Sequence, residues 1–229
     1  MAHSSNKIKA YLEVGKRRTF AGALEWPGWC RIGRDEDAAL QALLAYGPRY
    51  ARILGLAGIE FQVPADASAF VMVERLEGNA TTDFGAPDVA PSSDTRPIDA
   101  AELQRFQTLL AAYWQAFDMA ARKASGKELR KGPRGGGRDL EGIIQHVLGA
   151  DQSYLARLSR KHQKSEEHDL SVELNQTRHE MLNALVAAAR GQVPARGPRG
   201  GVIWTSRYFV RRVAWHLLDH LWEIEDRMT

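Results

Sequence analysis

The sequence predicts an α+β protein, in which a small N-terminal sheet-plus-helix module is followed by an all-α four-helix bundle. Three observations lead to this fold class. Short runs of alternating polar and apolar side chains occupy residues 7–33, and such alternation is typical of β-strands. From residue 99 onward the apolar side chains recur with the period of a helix. Residues 78–98 lie between the two parts, contain three prolines and show little periodicity.

The N-terminal module is predicted to contain five short strands and one helix. The strand candidates lie between turn residues and span 8–14, 19–24, 30–32, 59–63 and 69–76. Asp35 is a suitable helix cap, and the acidic side chains of Glu36 and Asp37 suit the positive end of the helix dipole. The helix is expected to end at Gly55 or Gly58 and to pack on one face of the sheet.

Four helices are predicted in the C-terminal part, at about 99–125, 139–160, 168–190 and 204–227. Each is marginal alone in water, so burying four apolar faces against one another is the simplest way to stabilise them. The predicted domains are therefore the module at 1–78, a linker or long functional loop at 79–98, and the bundle at 99–229. Composition alone does not separate a linker from a functional loop.

Composition and charge exclude several classes of protein. The chain has 31 basic and 28 acidic residues and a net charge of +3, a balance that requires no polyanionic partner, so nucleic-acid binding is not expected. Charged residues interrupt every apolar run, which argues against a membrane span. Cys30 is the only cysteine, which excludes an internal disulfide and a cysteine-based zinc cluster. The polar start of the chain lacks the apolar stretch of a secretory signal, so we expect a cytoplasmic protein.

Three histidines form the candidate metal site. His216 and His220 are four residues apart, which places both imidazoles on one face of the last helix. Glu223 falls on the same side, and His146 lies on the flank of the helix predicted at 139–160. A three-histidine site with open coordination positions would bind zinc, nickel or a similar divalent ion and leave room for a substrate. Asp219 or Glu223 would orient a ligand imidazole from behind.

A structural interpretation of the same residues stays open. His216 and His220 could be partly buried helix residues that only hydrogen-bond to neighbours such as Asp219 or Glu223. The remaining histidines stand in polar surroundings and are expected to titrate at the surface; they are His3, His162, His168 and His179.

Two glycine- and arginine-rich segments are candidates for holding a substrate anion. The segment 127–138 has five basic residues and one acidic residue, and 196–201 repeats its Gly-Pro-Arg-Gly-Gly motif. Glycines let backbone N–H groups approach an anion, and both segments precede a helix. The candidate residues are Arg134, Arg138 and Arg199, although a solvated loop is the more common role of such a segment. Neither segment fits the phosphate-binding pattern GxxxxGK[ST].

Two segments of the C-terminal half carry a family resemblance, namely Gly142-Ile143-Ile144-Gln145-His146-Val147-Leu148-Gly149-Ala150 and Trp215-His216-Leu217-Leu218-Asp219-His220. In these segments the chain resembles the DinB/YfiT-like superfamily of four-helix bundles. In that superfamily, a histidine of the second helix and an HxxxH pair of the last helix bind a divalent metal. The resemblance therefore implies that His146, His216 and His220 are metal ligands. Some members are thiol S-transferases that use small thiols, and others resemble amidohydrolase-like enzymes.

A second resemblance rests on Phe20-Ala21-Gly22-Ala23-Leu24-Glu25-Trp26-Pro27-Gly28-Trp29-Cys30, on Gly33 and on the helix predicted after Asp35. With this pattern, the N-terminal part at about 7–77 resembles a HicB-like antitoxin domain. Toxin-neutralising members usually continue with a small DNA-binding region, whereas this chain continues with the predicted bundle. We therefore expect the module to act as a scaffold, a dimerisation surface or a lid.

Two functions follow from these patterns. The first is a metal-dependent enzyme, thiol S-transferase-like or hydrolytic, that acts on a small anionic substrate through the three histidines. The alternative is a non-enzymatic regulatory or protein-interaction protein that uses the HicB-like module. A small molecule is the expected partner in the first case, and a homodimer is a further candidate assembly.

Overall fold

The computed structural model describes residues 7–131, 137–162, 169–194, 196–197 and 201–228. An N-terminal four-stranded mixed sheet is followed by a mostly helical part, so the chain is of the α+β class. It divides into two compact units, residues 1–95 (unit 1) and 96–229 (unit 2). None of the helices among the described residues is long and apolar enough to cross a membrane.

The sheet of unit 1 has the order β3-β2-β1-β4. Its strands are β1 (Ile8–Val14), β2 (Thr19–Ala23), β3 (Cys30–Gly33) and β4 (Phe70–Glu77). β1 pairs antiparallel with β2 and parallel with β4, and β2 pairs antiparallel with β3. The β1–β4 pairing shifts register between Ala10 and Tyr11. Four of the five predicted strands are thus confirmed.

The fifth predicted strand, at 59–63, is wrong. Among the described residues, 59–63 form no helix or strand. Instead, the Phe61 ring packs edge-on against Trp29 and Trp26, at centroid distances of 5.1 and 4.9 Å. Trp29 is fully buried, and its indole N–H donates to the Leu43 carbonyl. The segment is therefore held by aromatic packing and does not pair with a strand of the sheet.

The single helix predicted after Asp35 is two helices, α1 (Glu36–Ala45) and α2 (Gly47–Gly55). Asp35 caps α1 as expected, since its carboxylate accepts from the Ala38 N–H at 2.8 Å. The break follows from Pro48, which lacks an N–H and cannot continue α1, but suits the first turn of α2. At Gly33 a Cβ would lie 2.2 Å from the Ala39 nitrogen, so glycine lets α1 lie close to β3.

The proline-containing segment after β4 is ordered as part of unit 1 up to Thr95. It contains the short helix α3 (Ala80–Phe84) and a 3₁₀ turn at Ser92–Thr95. Glu13 of β1 is fully buried, and its carboxylate accepts hydrogen bonds from the Thr82 hydroxyl and from the backbone N–H groups of Asp88 and Val89. One buried carboxylate thus ties this segment to the sheet.

Unit 2 contains α4 (Ala100–Ala124), α5 (Leu140–Leu155), α6 (Leu170–Ala189) and α7 (Ser206–Arg227). α4 and α5 both pack against α7, and α5 also packs against α6. The side chains of Asp99, Asp139, Asp169 and Thr205 cap the four helices by accepting from first-turn N–H groups. The predicted helix positions are therefore confirmed, although α5 ends at Leu155 and not at 160.

Candidate metal centre

Two helices of unit 2 bring the three predicted histidines together. α5 carries His146, and α7 carries His216 and His220 one helical turn apart. Each imidazole offers one ring nitrogen, and these three atoms all lie within 4.8 Å of one another. The group could hold a metal ion, which is the arrangement that the sequence spacing predicts.

The spacing of one pair of ring nitrogens fits a shared ion. His146 Nε2 and His216 Nε2 are 3.1 Å apart. Imidazole nitrogens bind zinc at about 2.0–2.1 Å, so two ligands would be separated by about 2.9 Å at a right angle and by about 3.3 Å at a tetrahedral angle. The observed separation lies between these values. The ring centroids of the three pairs are also close, at 4.7 to 5.0 Å.

His220 is oriented by a carboxylate. Its Nδ1 lies 2.8 Å from Glu223 Oε2, and because a carboxylate only accepts, the ring proton sits on Nδ1 and leaves the Nε2 lone pair for an ion. The other carboxylate oxygen of Glu223 accepts from Arg227 Nη1 at 2.6 Å. The hydrogen bonds from His220 and Arg227 hold the pKa of Glu223 below its ordinary value, so this side chain is charged. Asp219, the other predicted orienting residue, is half-buried on the same helix.

The environment keeps the other two imidazoles neutral. His216 is 7% exposed, and burial is the main reason why its pKa lies well below the ordinary value. Burial also lowers the pKa of His146. Beyond burial, the electrostatic interactions with His220 and Arg138 lower the pKa values of both rings further, and Arg212 does the same for His216. Neutral imidazole is the form that binds a metal ion.

His216 also has an unsatisfied ring nitrogen. Its Nδ1 is buried and has no hydrogen-bond partner among the described residues. The His146–His216 contact joins two Nε2 atoms, and with both rings neutral only one of them can donate to the other. One proton between the two neutral rings satisfies this contact, and two unprotonated Nε2 lone pairs could share a cation there instead.

Tyr154 and Arg212, which lie near His216, were not among the predicted site residues. The Tyr154 ring of α5 packs edge-on against His216 with centroids 5.9 Å apart, and Trp204 packs against Tyr154 at 5.3 Å. The Arg212 guanidinium lies over the Tyr154 and Trp215 rings, at 5.8 and 5.0 Å from their centroids. Arg212 is one helical turn before His216, so the helical period could have indicated it; the contribution of Tyr154 depends on how α5 and α7 pack.

Of the three arginines predicted to bind a substrate anion, one lies among the described residues. Arg138 is exposed just before α5, and its charge adds a minor contribution to the lowering of the pKa of His146 and His216, which is mainly due to burial. Arg134 and Arg199 lie outside the described residues.

The remaining histidines are not all at the surface. His179 is exposed on α6, as expected. The prediction for His162 is wrong: its side chain is only 8% exposed, and its Nδ1 lies 2.8 Å from Glu180 Oε2. The carboxylate partner lets an imidazole lie in this part of unit 2 despite the polar sequence around it. His3 and His168 lie outside the described residues.

Comparisons of the chain with protein-family models, curated proteins and solved structures find no match. What the histidine group can do therefore follows from its own geometry and charge.

Proposed function

We propose that the chain is a divalent-metal-binding protein of the DinB/YfiT-like kind, in which α4 to α7 form the four-helix bundle. The ligands are His146, His216 and His220, and zinc or nickel is the preferred ion. The observation that carries this proposal is the convergence of three ring nitrogens from two helices within 4.8 Å. The orientation of His220 by Glu223 supports it, because ligand imidazoles commonly bond to a carboxylate through their second nitrogen.

The proposed activity is a thiol S-transferase-like or hydrolytic reaction on a small anionic substrate. Three protein ligands leave coordination positions open, and an ion bound there would lower the pKa of a water or thiol and polarise a substrate group. Arg138 supplies positive charge beside the histidines and would attract an acidic substrate. Tyr154 covers one side of the buried His216 ring and so restricts the access of water to it.

Elemental analysis of protein purified without a histidine tag tests the metal site. We expect about one equivalent of zinc, nickel or a similar ion in the wild type and none in the His216→Ala/His220→Ala variant, since two of three ligands are then lost. His179→Ala is the matched control, because it removes an exposed histidine of unit 2 outside the group. Circular dichroism would show that all three proteins are folded.

Two results would contradict the assignment. One is a wild-type protein that contains no metal even after incubation with divalent ions. The other is a double variant that retains the same metal content as His179→Ala.

A second candidate function is protein interaction through unit 1. The observation that favours it is the edge strand β4, on which three consecutive apolar side chains are 37–47% exposed, namely Val71, Met72 and Val73. An exposed apolar edge strand is a template for pairing with another chain. Within this candidate, the partner we put forward is a second copy of the chain.

A further inference from the structure

We propose that Arg227 is a positioning residue of the histidine group: its one guanidinium fixes both the carboxylate that orients His220 and the backbone that presents Arg138. The expected effect on metal affinity rests on the function proposed above. The effect on the orientation of His220 does not require a metal.

The contacts of Arg227 use all three of its nitrogen positions. Nη1 donates to Glu223 Oε1 at 2.6 Å, Nη2 donates to the Arg138 carbonyl at 2.7 Å, and Nε donates to the Arg130 carbonyl at 2.8 Å. The side chain is only 11% exposed. A planar, forked group with donors in fixed directions is therefore held from three sides, and a lysine ammonium could not reproduce this arrangement.

Gly137 makes the approach to Arg138 feasible. Its φ is +131°, a conformation that side chains with a Cβ rarely adopt. A Cβ at this position would lie 2.9 Å from Arg227 Nη2. The backbone that leads into α5 can therefore come within hydrogen-bond distance of the guanidinium only because residue 137 lacks a side chain.

Two of the hydrogen bonds of Arg227 connect it to the histidine group. On one side, the second oxygen of Glu223 accepts the Nδ1 proton of His220 at 2.8 Å. On the other side, the bond to the Arg138 carbonyl fixes the backbone that leads into α5, the helix that carries His146. A change at Arg227 should thus reach His220 through Glu223 and His146 through the start of α5.

Arg207 provides a matched control within the same helix. Near the first turn of α7, its guanidinium bonds to the Glu102 carboxylate and to the backbone carbonyls of Arg96 and Pro97. It is 13% exposed, so burial, partners and helix are comparable with those of Arg227. Arg207 lies more than two turns before His216 along α7, and no contact with the histidine group is among its bonds. A purely structural role predicts similar effects of Arg227→Met and Arg207→Met.

The first test needs no metal. Long-range ¹H–¹⁵N correlation spectra of the histidine rings report which nitrogen carries the proton. We expect His220 to be in the Nδ1–H form in the wild type and in Arg207→Met, and to show a mixture of both tautomers in Arg227→Met, because Glu223 is then no longer held in place. An unchanged Nδ1–H form in Arg227→Met would overturn the proposal.

The second test is the affinity for Co²⁺, followed through its visible absorption. We expect about tenfold weaker binding in Arg227→Met, a smaller loss in Arg227→Lys, which can still pair with Glu223, and no change in Arg207→Met. Equal losses in Arg227→Met and Arg207→Met would overturn the proposal. Thermal unfolding identifies a variant that fails to fold, in which case Arg227→Lys carries the comparison. A wild type that binds no Co²⁺ would contradict the proposed function, while the tautomers would still decide the role of Arg227.

Discussion

Asp151 of α5 is an acid buried in the core of unit 2. It is 1% exposed, and neither carboxyl oxygen has a hydrogen-bond partner among the described residues. Burial raises its pKa to about 7, and the charge of Arg178 offsets only part of this effect. The Arg178 guanidinium is committed elsewhere, since it forms two 2.8 Å bonds with Asp118. Asp151 therefore favours the protonated form in the folded protein.

This residue predicts a pH-dependent stability. In the unfolded chain Asp151 has a pKa of about 3.9, so between about pH 4 and pH 7 the folded state binds the proton more tightly, and stability falls as the pH rises through this window. Asp151→Asn keeps the shape and removes the ionisation. We expect the stability of the variant relative to the wild type to increase by about 2–3 kcal/mol from pH 5 to pH 8, as measured by urea unfolding. Glu128→Gln, at an exposed acid of unit 2, should show no such trend, and a constant difference for Asp151→Asn would contradict the prediction.

The residues of the histidine group differ in how far the sequence predicts them. The spacing of His216 and His220 follows from the helical period alone. The position of His146 opposite them depends on the packing of α5 against α7, which local periodicity does not specify. Asp151 shows the same limit: a helical-wheel argument assigns polar residues to the surface, whereas this one occupies the core face with Ile143, Val147 and Leu155.

At the scale of elements, Glu13 shows how one buried side chain can hold a segment that has little regular secondary structure. Its carboxylate satisfies one hydroxyl and two backbone N–H groups of the segment after β4. Burial raises the pKa of Glu13, and these hydrogen bonds lower it in part. The three donors stabilise the carboxylate, whereas a buried carboxylate without them would be unfavourable. Composition predicts a linker or loop here because no local pattern reveals a partner that lies more than 60 residues earlier in the chain.

Removing this acceptor should loosen the segment and weaken unit 1. Glu13→Ala leaves three donors without their partner, and a buried unsatisfied donor costs about 1–3 kcal/mol. We expect unfolding of unit 1 to require about 2–4 kcal/mol less, and the amides of Asp88 and Val89 to exchange faster with deuterium. Glu25→Ala is the control, because this exposed acid lies in a surface ion pair with Lys9. Unchanged exchange at Asp88 and Val89 would refute the assigned role.

The elements themselves are largely predictable, and the exceptions have local causes. Caps and hydrophobic periodicity predict four strands and the four long helices. The break between α1 and α2 is also a local signal, since Pro48 is visible in the sequence and excludes a continuous helix. The absence of a strand at 59–63 is different, because Phe61 packs against Trp26 and Trp29, which lie more than 30 positions earlier in the chain.

At the scale of the whole molecule, the two candidate functions belong to different units. The histidine group and its orienting residues all come from unit 2, whereas the exposed apolar edge strand belongs to unit 1. Each unit can therefore be tested without altering residues of the other. A metal-binding role and an interaction role are also compatible within one chain, since neither uses the other's residues.

The interaction role predicts a dimer that depends on the edge of β4. Antiparallel pairing of β4 with its copy would be self-complementary under twofold symmetry and would cover Val71, Met72 and Val73. Val73→Lys places a charge on this edge, and natural edge strands use lysine to prevent pairing. We expect sedimentation equilibrium to show a dimer for the wild type and a monomer for Val73→Lys. The control Val172→Lys, on the exposed face of α6, should remain a dimer.

Either of two results would exclude β4 as the interface. One is a wild type that is monomeric at concentrations near 100 µM, because micromolar affinity is about the weakest that a stable symmetric dimer would show. The other is a Val73→Lys variant that still dimerises.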